Sequence, residues 1–156
     1  MQQISGLAVE IRRHVFGSRE WFEQFVQTLN QDPEYQAASA SWEDSVTVFV
    51  TDLPPPVREF VESDVVGVWF DLYHGRCRNF QLVKHPREKQ ASLTIYGSYE
   101  VVKKIALGLL SPTVAVLTGH VKVEGSLAKF LFNPAALSVA SAFVEAVKKV
   151  PTMFLA

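Results

Sequence analysis

The side chains with reactive chemistry are few, and they are scattered. His14, His74, His85 and His120 fall in four separate segments, and no two stand at the spacing of paired metal ligands. Asp71, Tyr73 and His74 lie close enough to form a trio at one hairpin end, but a polar outer face accounts for them equally well. Cys77 sits between Arg76 and Arg78, whose charges would lower the pKa of an exposed thiol. No base stands beside it to make it a nucleophile, so a strand cysteine is the plainer description. Gly119 and Gly125 flank a strand instead of opening a helix, which leaves no phosphate cradle. Pro54, Pro55 and Pro56 read as a rigid turn between strands. No carboxylate pair stands out. The expectation is a protein that is not an enzyme, with no catalytic residue, no metal and no cofactor.

Composition narrows the class further. At 156 residues the chain is one domain in length and can bury a core without staples. Eighteen aromatics and 48% apolar residues exclude disorder. Fifteen basic against sixteen acidic residues, a net charge of −1, remove the electrostatic footprint of a nucleic-acid binder. The lone Cys77 forbids an internal disulfide and fits a reducing, cytoplasmic setting, and no secretory signal opens the chain.

The elements that must position any site follow from periodicity. Residues 1–17 suggest a short helix ending near Gly17. Ser18 caps a helix to about residue 31, carrying Trp21, Phe22, Phe25, Val26 and Leu29, and Asp32-Pro33 stops it. After a small-residue stretch at 37–41 the period changes to two. Strands are expected at 45–51, 64–73, 76–83 and 91–96, with a hairpin tip at His74-Gly75. A helix from Ser98 to about residue 109 follows, then a helical turn at 112–118 and a strand at 119–125. Helices at 127–132 and 134–149 precede an apolar tail at 151–156. Strands in a block followed by helices predict an α+β fold, a five-stranded, mainly antiparallel sheet covered on one face by helices. One-sided alternation in the strands predicts a half-solvated sheet.

The remaining signal is an apolar surplus. Residues 105–121 and 130–144 carry no charge, yet both are too short for a membrane span and are broken by Ser111-Pro112 and Asn133-Pro134. In the last helix apolar residues cover most of the circumference, many of them alanines. Such a helix is central, or forms a homodimer face, or borders an internal cavity with Leu127, Phe130, Leu131, Leu137 and Phe143 on its walls.

The string from Gly119 to Lys129, GHVKVEGSLAK, resembles the sterol carrier protein type-2 family: glycine, basic residue, alternating strand, second glycine with a small polar residue, amphipathic helix. His120 stands where lysine or arginine is usual. LTIYGSYE at 93–100, the helix after it, Ser111-Pro112 and the helix entered at Pro134 fit the same order, so the resemblance covers about 45–150. It implies a hydrophobic tunnel between sheet and helices that binds a fatty acid, fatty acyl-CoA or sterol-like lipid without catalysis. The tunnel would lie between Val46, Val48, Val68, Phe70, Leu93, Ile95 and Val121 and the helices around 105–110 and 127–147, which adds Ile105, Leu109 and Ala140 to its walls. Met153, Phe154 and Leu155 would serve as a lid, and Lys103, Lys104, Lys122 or Lys129 could meet a headgroup.

The ending Phe154-Leu155-Ala156 differs from a peroxisomal Ser-Lys-Leu, and with the length it suggests a prokaryotic, standalone member. Residues 1–40 are expected to be an N-terminal helical extension of a single domain over 1–156, covering the tunnel mouth or mediating dimerisation. The functional expectation is a lipid-binding carrier, with a lipid or fatty acyl ligand as partner, no nucleic acid, no transmembrane segment and a homodimer as an option. The alternative is a module of the same fold that dimerises or docks onto a lipid-metabolising enzyme.

Overall fold

A computed structural model of the chain describes residues 13–125 and 133–156. Strand β1 (His14–Val15) leads into α1 (Arg19–Asn30), where Ser18 Oγ accepts the Trp21 backbone N–H at 3.1 Å. Trp21, Phe22, Phe25 and Leu29 form the buried stripe of α1, at the spacing of one helical face. Asp32-Pro33 does end that helix, but it also starts another. Asp32 caps α2 (Pro33–Ala38), accepting from the Glu34 and Tyr35 N–H groups, and Tyr35 is fully buried. The small-residue stretch expected after Pro33 is thus partly helical.

β2 (Val46–Thr51) is followed by a further helix, α3 (Pro55–Val61), where the sequence predicts only a turn. Pro55 and Pro56 occupy its first positions, where no N–H is needed, and Glu62 ends it in the left-handed region at φ 56°. Next come β3 (Val66–Tyr73), β4 (Arg76–Val83) and β5 (Leu93–Ser98), then α4 (Tyr99–Ala106), α5 (Pro112–Leu117) and β6 (Val121–Gly125). Helix α6 (Pro134–Lys148) and β7 (Thr152–Met153) complete the described chain. The expected helix at 127–132 lies outside the described residues.

Five strands form one mixed sheet in the order β4-β3-β2-β5-β6. Three neighbouring pairs are antiparallel, while β2 and β5 run parallel with Val48 opposite Ile95. The helices α1, α4 and α6 lie over the face that carries Val46, Val48, Val50, Val68, Phe70, Leu93 and Ile95. The β4 edge is closed by Asn30, whose side-chain amide donates to Cys77 O at 2.9 Å and accepts from Cys77 N at 2.7 Å, beside the bulge at Asp71/Leu72.

Two expectations need correction. The opposite face of the sheet is less solvated than its alternation suggests. Thr47 and Phe49 are buried there, and Phe49 stacks on Tyr96 at 5.9 Å. Gly67 makes this possible, because a Cβ at that position would lie 2.6 Å from the Phe49 ring. Residues 14–15 are extended, not helical: β1 pairs in parallel with β7, His14 opposite Thr152 and Val15 opposite Met153. A two-residue strand leaves no periodicity to read, and its partner is more than 130 positions away. Trp21 Nε1 ties the pair to α1 by donating to Thr152 Oγ1 at 2.9 Å.

Candidate functional site

Between the sheet and the helices lies a cavity of about 200 Å³. β2, β3 and β5 form its floor through Val48, Phe70 and Ile95. Helix α4 presents Val102, Ile105 and Ala106, and α6 presents Ala136, Val139, Ala140, Phe143 and Val144. Helix α1 closes a further side with Trp21, Phe22 and Phe25, beside Phe16 and Trp42. Every lining residue is apolar. The two indole N–H groups are committed elsewhere, Trp21 to Thr152 and Trp42 to the Asp44 carbonyl. Val48, Ile95, Val102, Ala140, Phe143 and Val144 are only half-buried although they sit between sheet and helices, because one side of each meets open space. Small residues on the helices create that space. Ala106, Ala136 and Ala140 stand where leucines would fill the gap. An apolar void of roughly 150 Å³ already stays dry and takes a benzene-sized guest, so this larger one has no use for water.

Beside the cavity, α4 and α6 frame another space. This second cleft, of about 280 Å³, shares Ile105 and Val144 with the cavity. Its remaining walls are mixed: Gly108, Leu110, Ser111 and Pro112 on one side, Ser141, Glu145 and Lys148 on the other. Lys148 Nζ donates to Glu145 Oε2 at 2.7 Å across its rim. An oily chamber and a polar vestibule thus lie side by side, with Ile105 and Val144 bordering both.

The SCP-2 sterol transfer family model matches residues 22–135, most of the chain, with the strands and α4 that bound this chamber but only the start of α6. The chain belongs to that family. Among solved structures it is similar to a sterol carrier protein 2 crystal structure, with a TM-score of 0.72 and 24% identity, covering 86% of this chain and 98% of the other. A conserved hypothetical protein from Thermus thermophilus matches with a TM-score of 0.73 and 24% identity over 91% of this chain and 94% of its own. The apo form of sterol carrier protein 2 from Yarrowia lipolytica matches at 0.54 and 13%, covering 90% and 99%. These likenesses show the fold. No curated protein matches the chain.

Within this SCP-2 fold the residues named from sequence separate into three groups. Val48, Phe70, Ile95, Ile105, Ala140 and Phe143 come together around the chamber. Leu127, Phe130 and Leu131 lie outside the described residues, as does Lys129. Four others lie elsewhere: Leu109 and Met153 are exposed, and Leu137 is half-buried away from the chamber. Phe154 packs behind the wall, 5.5 Å from the Phe16 ring and 6.3 Å from Tyr99, with Lys103 Nζ over its face. The aromatic wall from α1 was legible in the Trp21–Phe22–Phe25 stripe, but sequence reasoning assigned 1–40 to an extension and not to the chamber. Lys148, the cation at the vestibule, carried no sequence signal beyond its place in the last turn of α6.

The reactive side chains lie outside the chamber. His74, at φ 48°, meets Glu43 Oε2 at 2.5 Å, and its backbone N–H donates to the Trp42 carbonyl at 2.7 Å. Arg78 grips Asp71 through two hydrogen bonds of 3.1 Å and lies over the Tyr73 ring. The trio read from sequence is thus a surface network that clips the loop before β2 to the hairpin. Cys77 is buried rather than activated, and burial pushes its thiol up to about 12. His85 and His120 lie in other segments, His120 Nδ1 being 2.7 Å from Thr118 Oγ1. Among the described residues no three His, Cys, Asp or Glu side chains gather as a metal site. Among them, too, no helix is long and apolar enough to cross a membrane.

Proposed function

We propose that this protein is a cytoplasmic, non-catalytic lipid carrier, one domain over 1–156, that holds the aliphatic part of a single lipid in the chamber between sheet and helices. The supporting observation is the lining. A space bordered by apolar side chains alone offers nothing to a polar substrate and a large gain to a hydrocarbon chain. Each methylene taken from water contributes about 0.8 kcal/mol, which sets acyl chains and sterol-like bodies apart from smaller metabolites. Fatty acids and fatty acyl-CoAs fit the two-part shape best, with the chain in the chamber and the polar end in the vestibule beside Ser111, Ser141 and Lys148. Val48, Phe70, Ile95, Ile105, Ala140 and Phe143 would touch the chain. Leu127, Phe130 and Leu131 belong to the same proposed wall from the sequence pattern.

Mass spectrometry of the purified protein, first native and then denaturing, tests this. The expected result is a lipid mass released on unfolding, or stoichiometric uptake of an added fatty acid or acyl-CoA. Uptake should disappear in Phe143→Asp, whose carboxylate would be stranded in the chamber. A ligand-free protein that takes up none of these would overturn the carrier reading. A module that dimerises or docks onto a lipid-metabolising enzyme would then stand in its place.

A further inference from the structure

The chamber is small for a lipid site. A void of roughly 150 Å³ takes the carbons of one benzene guest, about 25 Å³ for each carbon. On that scale the chamber, at about 200 Å³, has room for roughly eight carbons. A C16 chain or a sterol needs far more, and neither fits whole.

The walls are built to keep that size. Phe143 closes the chamber on the side toward α1 and α2. Its ring meets Phe25 edge to face at 4.9 Å and Phe70 at 5.5 Å, and those two rings meet each other at 5.8 Å. Tyr35, fully buried on α2, holds it from a third side at 6.3 Å. A ring held edge to face on three sides does not swing aside without losing all three contacts. Phe25 in turn stacks on Trp21 at 5.4 Å, and the Trp21 indole is pinned to Thr152. The floor is equally fixed, since Val48 and Ile95 face each other across the paired strands β2 and β5. From α4, Ala106 is the last helical residue, and its methyl leaves space that a larger side chain would take.

We propose that the chamber selects medium-length acyl chains, holding about eight carbons, and that Phe143 is the stop that sets this length. The inference rests on the carrier reading above and narrows it: long acyl chains and sterols are not held whole. Carbons that enter the chamber leave water and add affinity, whereas carbons beyond its capacity stay in water and add none. Length is therefore read by where the gain stops, with no polar contact needed.

The test measures, by calorimetry on the full chain, dissociation constants for saturated fatty acids from C6 to C16, each below its micelle concentration. Affinity should rise about fourfold with each added carbon up to about C9, and then change by less than about twofold from C10 to C16. Acyl-CoAs should break at the same acyl length, and the series that binds more tightly identifies the source of the chain. Phe143→Ala frees the space of about six carbons and should move the break to about C14 or C15. If that variant melts early, Ala106→Val decides: its added methyl groups should move the break about two carbons shorter. An affinity that keeps climbing to C16, or a different break in the acyl-CoAs, would overturn the length limit and leave the carrier reading standing. So would a break that the folded variants leave in place, or stoichiometric uptake of cholesterol. No binding at any length would sink both.

Discussion

The two faces of the central sheet are made from the same strands and reach opposite ends. On the outer face Val83, Gly67, Phe49, Tyr96 and Lys122 form one cross-strand row. The Phe49 ring fills the space that Gly67 vacates and stacks on Tyr96, and nothing larger than a hydrogen fits beneath it. On the inner face Val48 lies between Val68 and Ile95, and the helices above offer Ala106, Ala136 and Ala140 in return. One face packs tightly around Phe49 and the other keeps a chamber. The Phe49 cluster and the chamber are both apolar, so hydrophobicity does not separate a packed cluster from a binding site here. The fit of side-chain volumes does.

If that contrast is right, adding carbon should hurt one face and not the other. Gly67→Ala is expected to cost about 3 kcal/mol, since its Cβ meets the Val83 carbonyl and the Phe49 ring. Chemical denaturation would read this as a lower midpoint at unchanged slope. A loss under about 1 kcal/mol would show that the outer face has slack and would break the comparison.

Away from the chamber, α2 and the end of α6 are joined by polar contacts of a kind its lining lacks. Asp32, almost fully buried, caps α2 and accepts from Lys149 Nζ at 3.0 Å, joining α2 to the end of α6. Burial alone would raise its pKa, but the Lys149 hydrogen bond and the Glu34 and Tyr35 N–H groups together hold it below the ordinary 3.8. Asp32→Ala should cost about 1.5 kcal/mol at neutral pH, in the range of a lost helix cap. Because the folded pKa is depressed, that contribution is complete above pH 3.8 and disappears as pH falls through the lower folded value. Melts of parent and variant should therefore converge only in acid. A constant gap down to that range would show that shape, and not charge, holds α2 to α6.

On the inner face Ala140→Leu should change stability by less than about 1 kcal/mol in either direction, because the added atoms enter empty space. The same change should abolish fatty-acid uptake. A large loss of stability would mean that the inner face is packed like the outer. Cys77 gives the smallest effect. Its buried, proton-holding thiol should resist a disulfide reagent at pH 8 until the protein is unfolded.

Much of the scaffold was written in short-range pattern. Ser18 and Ser98 cap α1 and α4 as the sequence places them, Pro134 opens α6 as expected, and the hairpin at His74-Gly75 turns where expected. The misses share a cause. β1 and β7 are two residues each and find one another only through tertiary packing. Helix α3 hides behind three prolines whose usual meaning is a turn, and α2 behind the proline that stops α1. For the site, strand phase put Val48, Phe70 and Ile95 on one face, the all-round apolar last helix offered Phe143, and the family resemblance supplied the tunnel between them. Leu109 was not separable from them, since its place after α4 turns it to solvent while Ile105, one turn earlier, faces the chamber.

The sequence alone determined that this is an α+β lipid-binding-family domain with more apolar surface than an ordinary core requires. Periodicity and the GHVKVEGSLAK string are local quantities, and local spacing carries them. Only the tertiary structure decided where the surplus goes, because whether two apolar faces close on each other or leave a void depends on volumes brought together from distant segments. Ala106, Ala136 and Ala140 face Val48, Phe70 and Ile95 across that void, and Phe49 finds Gly67 on the other side. The leucines of 107–117 remain outside both.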